Sequence, residues 1–293
     1  MQDAYTRRMY NHYVQLMGES EFLKATPTSF LETNHYIIHY THAGTGKPLI
    51  LIHGGGMWLY SFRHTIPPLS EHCSVYALDM PGYGFTSIID QKGPIDLGFM
   101  TLAIREFMDG MDIKKATLIG HSWGGGWVLD FVQSYPERVD KIILIDSSGL
   151  DVSDVLEWEL LKLPFISGIL LRVLTPGMIR RRLERSFFQR NHVDDAMAHE
   201  VYLPLKSAAN RKLQSRLARR LSWRNTEAHL DAITHSVLLI WGEHDGYLDV
   251  SLTERFKTRI RNIRVEIING CGHSVHEEAP EKVNRLIIEF LKG

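Results

Sequence analysis

Ala116-Thr117-Leu118-Ile119-Gly120-His121-Ser122-Trp123-Gly124-Gly125-Gly126 is the stretch that decides the fold. A short apolar run, Ala116–Gly120, reads as a strand and leads into Gly-x-Ser-x-Gly. A helical segment, Trp123–Tyr135, follows and must end at Pro136. A serine at such a strand-to-helix bend is pushed outward, with its hydroxyl over the sheet edge. Residues on either side must be small, because backbone packs on backbone at the bend.

Similar runs recur on both sides of this one: Leu49–His53, Val75–Met80, Lys141–Asp146, Val237–Trp241 and Arg264–Ile268. Most are rich in Val, Ile and Leu and few alternate with polar residues, as expected of strands covered on both faces by helices. Upstream, His35–Thr41 is strand-like. Leu97–Met111 puts Met100, Ile104, Phe107 and Met108 on one helical face. Pro280–Leu291 opens with proline in its first turn and carries Val283, Leu286, Ile287 and Phe290 on one side. The expected fold class is α/β, a mostly parallel central sheet flanked by helices.

The rhythm stops between Asp151 and His235, where helical patches are broken by Pro164, Pro176-Gly177 and Pro204. The expected organisation is a core of 1–150 and 236–293 with an inserted helical cap at 151–235. Between Arg172 and Arg224 there are 13 Lys and Arg against four acidic residues, an excess of nine positive charges. The chain as a whole carries −1, so the balance hides a strong asymmetry. Most such runs are solvated helix faces. This one can also raise the local concentration of anionic substrates or meet an acidic membrane surface beside Leu163–Leu171.

Composition narrows the function classes. With 44% hydrophobic and 23% charged residues, the 293-residue chain has an ordinary globular balance and ample core. Its near-zero charge argues against a dedicated nucleic-acid binder. Cys73 and Cys271 cannot build a disulfide framework and form no CxxC pair. Met1–Ser20 lacks the apolar core of a signal peptide, and Leu163–Leu171 is far shorter than the roughly 20 residues of a membrane span. A cytoplasmic protein without stable membrane insertion is expected. His35 and His39 share a strand face, but no carboxylate at ligand spacing joins them, so they read as exposed or core polar residues and no metal is expected.

A serine hydroxyl needs a base, and the base needs an orienting acid. Trp241-Gly242-Glu243-His244-Asp245 and Gly270-Cys271-Gly272-His273 each follow an expected strand, at the same sheet edge as Ser122. The candidate catalytic set is Ser122, Asp245 and His273. Asp146 also ends a strand and is the alternative acid. Glu243 and Asp249 read as solvated loop charges, and His276 as a surface or supporting residue. After Leu49–His53 comes Gly54-Gly55-Gly56-Met57-Trp58, where glycines allow backbone N–H groups to approach an oxyanion. Gly55 and Trp123 are the expected donors, with Gly56 the alternative to Gly55. Gly56, Met57, Trp58 and Phe85 are candidates to line the substrate pocket. Asp79-Met80-Pro81-Gly82-Tyr83-Gly84 is expected to shape the site without catalysing. It lacks the glycine pattern of a nucleotide loop.

In this order the motifs resemble the α/β-hydrolase superfamily, from about His35 to Gly293. The resemblance implies the α/β-hydrolase fold with a helical cap over the nucleophile, and a cofactor-independent serine hydrolase. Dehalogenases and epoxide hydrolases of this fold use aspartate where this chain has Ser122. The hormone-sensitive-lipase group shares His-Gly-Gly-Gly but usually has Gly-Asp-Ser-Ala-Gly. Carbon–carbon hydrolases of aromatic meta-cleavage pathways share the cap and the Asp-Met-Pro-Gly stretch. They usually carry a serine in the oxyanion loop and a tryptophan-bearing segment after the histidine; here Gly55 and Ser274-Val275-His276 stand instead. The expected activity is carboxylesterase-like cleavage of a small or medium, largely apolar ester. The alternatives are hydrolysis of a vinylogous diketone or a lactone by the same residues, or a ligand receptor built on the fold.

Overall fold

The computed structural model describes residues 12–89, 93–153, 162–163 and 172–293. Of the apolar run Leu163–Leu171, residues 164–171 lie outside the described residues, as do 1–11 of the N-terminus. Among the described residues, nine strands make one sheet: β1 (Ser29–Glu32), β2 (Tyr36–Ala43), β3 (Pro48–Ile52), β4 (Ser74–Leu78), β5 (Ser87–Ile88), β6 (Ala116–His121), β7 (Val139–Ile145), β8 (Val237–Gly242) and β9 (Ile263–Ile268). Their order is β1-β2-β4-β3-β6-β7-β8-β9, with β5 paired to β2. Pairs involving β1, β2 or β5 are antiparallel, and the run from β4 to β9 is parallel.

The apolar runs become strands because both of their faces are covered. Ile50, Ile52, Leu118, Ile142, Leu144 and Leu239 point to one side. There they meet α1 (Leu97–Gly110), α2 (Trp123–Ser134) and Phe256 of α6 (Leu252–Arg259). Leu49, Leu51, Ile119, Ile143, Ile145, Leu238 and Ile240 point to the other side, toward Val283 and Ile287 of α7 (Pro280–Lys292). Each such side chain contributes roughly 1.5–3 kcal/mol by leaving water. Asp96 caps α1 by accepting from Phe99 N at 3.2 Å, and Pro136 follows the last turn of α2.

The chain leaves β3 toward β4 on one side and returns to β6 on the other. This reversal opens a crevice at the carboxyl ends of β3 and β6, the place where ligands bind in open parallel sheets. The segment between β7 and β8 carries α3 (Pro176–Ser186), α4 (Asp195–Tyr202) and α5 (Ala208–Ala218). Thr175, Asp194 and Ser207 cap their N-termini. The segment is tied down on this side of the sheet. Glu200 accepts from Ser20 Oγ at 2.6 Å and from Phe22 N at 3.2 Å. Asn210 donates to the Gly84 carbonyl at 2.8 Å and accepts from Tyr13 Oη at 2.7 Å. No helix among the described residues is long and apolar enough to cross a membrane.

Candidate active site

Ser122 has φ 52° and ψ −121°, a conformation a non-glycine residue holds only when its surroundings enforce it. The enforcement is visible at both flanking glycines. A Cβ on Gly120 would lie 2.4 Å from the Gly124 carbonyl oxygen, and one on Gly124 would lie 2.3 Å from that of Ile52. Ser122 N donates to Ile145 O at 2.9 Å, and Ser122 O accepts from Gly125 N and Ser148 N, each at 2.9 Å. The hydroxyl therefore stands at the N-terminus of α2, where the helix dipole favours developing negative charge.

Three loops meet at this hydroxyl. Ser122 Oγ lies 2.9 Å from His273 Nε2, and His273 Nδ1 lies 2.7 Å from Asp245 Oδ2. A carboxylate only accepts, so Nδ1 carries the proton and Nε2 is left to accept from the serine. The other Asp245 oxygen accepts from Tyr247 N at 2.8 Å and Leu248 N at 2.9 Å, which fixes the carboxylate.

Asp146, the alternative acid, does not reach His273. Its Oδ1 accepts from Gly242 N at 2.7 Å and its Oδ2 from Val275 N at 3.2 Å. It is fully buried, and burial, with the Asp245 charge nearby, pushes its pKa well above the usual carboxylate range. The carboxylate thus joins the loop that bears Asp245 to the loop that bears His273.

The glycine loop after β3 is held by a neutral histidine. His53 Nδ1 donates to the Gly54 carbonyl at 2.8 Å, and its Nε2 accepts from Met80 N at 3.0 Å. Burial lowers its pKa. Asp79 accepts from Leu59 N at 2.8 Å, Phe85 N at 2.9 Å and His39 Nδ1 at 2.6 Å. The Asp79–Gly84 turn thereby anchors the loop. His39 is a buried partner of Asp79, at 0% exposure for both side chains.

A narrow cleft with a cavity volume of about 60 Å³ lies over Ser122. Gly55, Met57, Trp123 and His273 line it with Ser122. Gly56 faces Arg182 instead: a Cβ there would lie 2.4 Å from the guanidinium. Two further expected pocket residues belong elsewhere. Trp58 is buried with Phe22, Tyr60 and Phe85 and donates to the Glu200 carbonyl at 3.0 Å. Phe85 is fully buried in that same aromatic cluster, next to Tyr13. Both rings support the loops from behind.

Other cleft residues carried no motif. Arg182 and Leu183 of α3, Ser186 at its end, Tyr247, Leu248, Ser148 and Ser274 all line it. Arg182 reaches the Gly55 carbonyl at 3.3 Å. A signal was present, because Arg182 borders the buried stripe Ile179, Leu183 and Ser186 at helical spacing. His276 is not a surface residue. It is fully buried, 4.5 Å from the His121 ring and 5.4 Å from Phe62 between centroids. Burial pushes its pKa down to about 3. His121 is also buried, its pKa depressed by desolvation, and its Nε2 donates to the His273 carbonyl at 2.8 Å.

A serine on a strained bend between β6 and α2, with a histidine and a carboxylate delivered from the ends of later strands, has the layout of a hydrolase sheet. Residues 49–286 match the sequence pattern of the Alpha/beta hydrolase family, and the chain belongs to it. Over 289 residues it is 25% identical to a 2-hydroxy-6-oxo-6-phenylhexa-2,4-dienoate hydrolase of Comamonas testosteroni, covering 94% of this chain and 98% of that protein. The structure of the meta-cleavage product hydrolase of Pseudomonas fluorescens IP01 superposes with a TM-score of 0.77 at 25% identity, over 90% of this chain and 97% of that one. A carboxylesterase of Bacillus subtilis gives 0.79 at 20% identity over 97% of each chain, a likeness of fold.

Proposed function

We propose that the protein is a serine hydrolase acting on a carboxylate-bearing substrate with an electrophilic carbonyl, a vinylogous diketone being the first candidate. The observation that carries this reading is the unbroken series Ser122–His273–Asp245, at 2.9 and 2.7 Å. Ser122 Oγ attacks the carbonyl as His273 Nε2 takes its proton. The oxyanion is held by the N–H groups of Gly55 and Trp123. His273 then passes the proton to the leaving group, and a water activated by the same imidazole releases the acid. When the broken bond is carbon–carbon, the leaving carbon must be delocalised into the conjugated keto acid before it is protonated.

Two things favour this substrate class. Two relatives matched over nearly their whole length are named as hydrolases of a 2-hydroxy-6-oxo dienoate and of 2-hydroxy-6-oxo dienedioate and trienedioate substrates, and Arg182 lines the same cleft as Ser122. The segment 151–235 serves as the cap, with α3 forming the roof over Ser122. The ester reading stays second, favoured by Gly55 and Ser274-Val275-His276 standing where ring-cleavage hydrolases usually carry a serine and a tryptophan-bearing segment.

The test is turnover of 2-hydroxy-6-oxo-6-phenylhexa-2,4-dienoate against p-nitrophenyl acetate, by wild type and Ser122→Ala. The proposal expects kcat/KM at least tenfold higher for the dienoate (about 1.4 kcal/mol) and loss of both activities in the variant. A preference for the acetate moves the assignment to an esterase. Undiminished turnover by Ser122→Ala overturns the serine mechanism itself.

A further inference from the structure

The chain leaving α3 lies directly on the loop that carries His273. Ser274 N donates to Ser186 O at 3.2 Å. A Cβ on Gly272 would stand 2.6 Å from Ser186 O and 2.8 Å from Phe188 N, so the two backbones touch. Glu278 spans this contact. Its Oε1 accepts from Gly272 N at 2.5 Å, and its Oε2 accepts from Gln189 N at 2.9 Å. One carboxylate therefore has one oxygen on the residue before His273. The other is on the third residue past the end of α3, the helix that carries Arg182 into the cleft. The side of the loop facing the sheet is held separately, by Asp146 on Val275 N and by His121 on the His273 carbonyl.

Building on the hydrolase reading, we infer that Glu278 is a positioning residue that couples the placement of the cap's substrate-facing helix to the placement of the His273 imidazole. The chemistry of the side chain argues for this. Glu278 is only 7% exposed, and an apolar residue would fill such a position without the desolvation cost. A carboxylate offers two acceptors in one rigid plane, so two N–H groups from separate segments are locked at a fixed separation. Glutamine cannot do this. Its amide accepts with one atom and confronts the second N–H with another donor.

The experiment compares Glu278→Gln, Arg182→Gln and the double variant with wild type, using the dienoate and p-nitrophenyl acetate. Circular dichroism and Tm establish the folded fraction. A shift of about 1 Å at the base costs up to about 10²-fold, so kcat per folded molecule of Glu278→Gln is expected to fall at least fivefold on both substrates. The coupling is read from kcat/KM on the dienoate. The double variant is expected to lose at least about threefold less than the product of the single losses, beyond the scatter of independent sites. Should Glu278→Gln not fold, Gly272→Ala takes its place, since its Cβ forces the same two backbones apart. A kcat within fivefold of wild type, or a double loss within threefold of the product, overturns the inference. Ser122→Ala run alongside separates the failures. If it retains turnover, the hydrolase reading falls; if it is inactive while Glu278→Gln is unimpaired, only the coupling falls.

Discussion

Acid should unfold this protein through His276. In the unfolded chain its ring titrates near 6.5, whereas in the folded protein burial against Phe62 and His121 pushes it down to about 3. Above 6.5 neither state binds the proton, and stability does not depend on this group. As pH falls from 6.5 toward 3, the unfolded chain takes up a proton that the folded chain refuses, and stability is lost. Each pH unit is worth about 1.4 kcal/mol, so by pH 5 the loss is about 2 kcal/mol. That is a large part of a typical domain's 5–15 kcal/mol. His121, depressed by the same burial, adds in the same direction. The assay is urea unfolding at pH 7 and pH 5, on wild type and on His276→Leu, which removes the titration but keeps apolar bulk. Raised carboxyl groups such as Asp146 act in the opposite sense, so the reading is the difference: between the two conditions wild type should lose about 2 kcal/mol more than the variant. An equal loss in both proteins would refute the assignment of the acid sensitivity to this ring.

Other expectations concern the site. Asp245→Asn can accept from Tyr247 N and Leu248 N yet fixes the wrong His273 tautomer, so kcat should fall by about 10⁴-fold with little change in fold stability; steady-state rates and Tm check both halves. Arg182→Gln removes a charged donor worth about 1.5–3 kcal/mol. The ratio of kcat/KM for the dienoate to that for p-nitrophenyl acetate should fall about 10- to 100-fold, and an unchanged ratio would take Arg182 out of substrate binding.

Much of the fold was legible because burial on both faces leaves a plain signature. Val237–Trp241 reads as apolar at every position, and it is the fully buried strand β8 (Val237–Gly242), between β7 and β9. Two short strands at the β2 end of the sheet were not legible. β1, Ser29–Glu32, and β5, the two residues Ser87–Ile88, are short and half-covered, and carry no continuous apolar run. Order and spacing singled out Ser122, His273 and Asp245, but they could not decide between Asp245 and Asp146. That choice depends on where backbone N–H groups point, and Asp146 has both oxygens taken by Gly242 N and Val275 N. Trp58 and Phe85 were misplaced for a related reason. Adjacency in sequence to a glycine loop does not say whether a ring turns toward the cleft or, as here, toward the aromatic cluster behind it. Arg182 was one among 13 basic residues: its place beside the stripe Ile179, Leu183 and Ser186 set it apart from solvated neighbours such as Arg181, but its entry into the cleft depends on how α3 packs.

The central claim is that Ser122 is the nucleophile. Treating the folded protein with a fluorophosphonate and mapping the adduct by peptide mass spectrometry tests it most directly. One adduct per chain is expected, on Ser122, formed in step with loss of turnover and absent from Ser122→Ala. An adduct on another residue, or full turnover after Ser122 is modified, would contradict it.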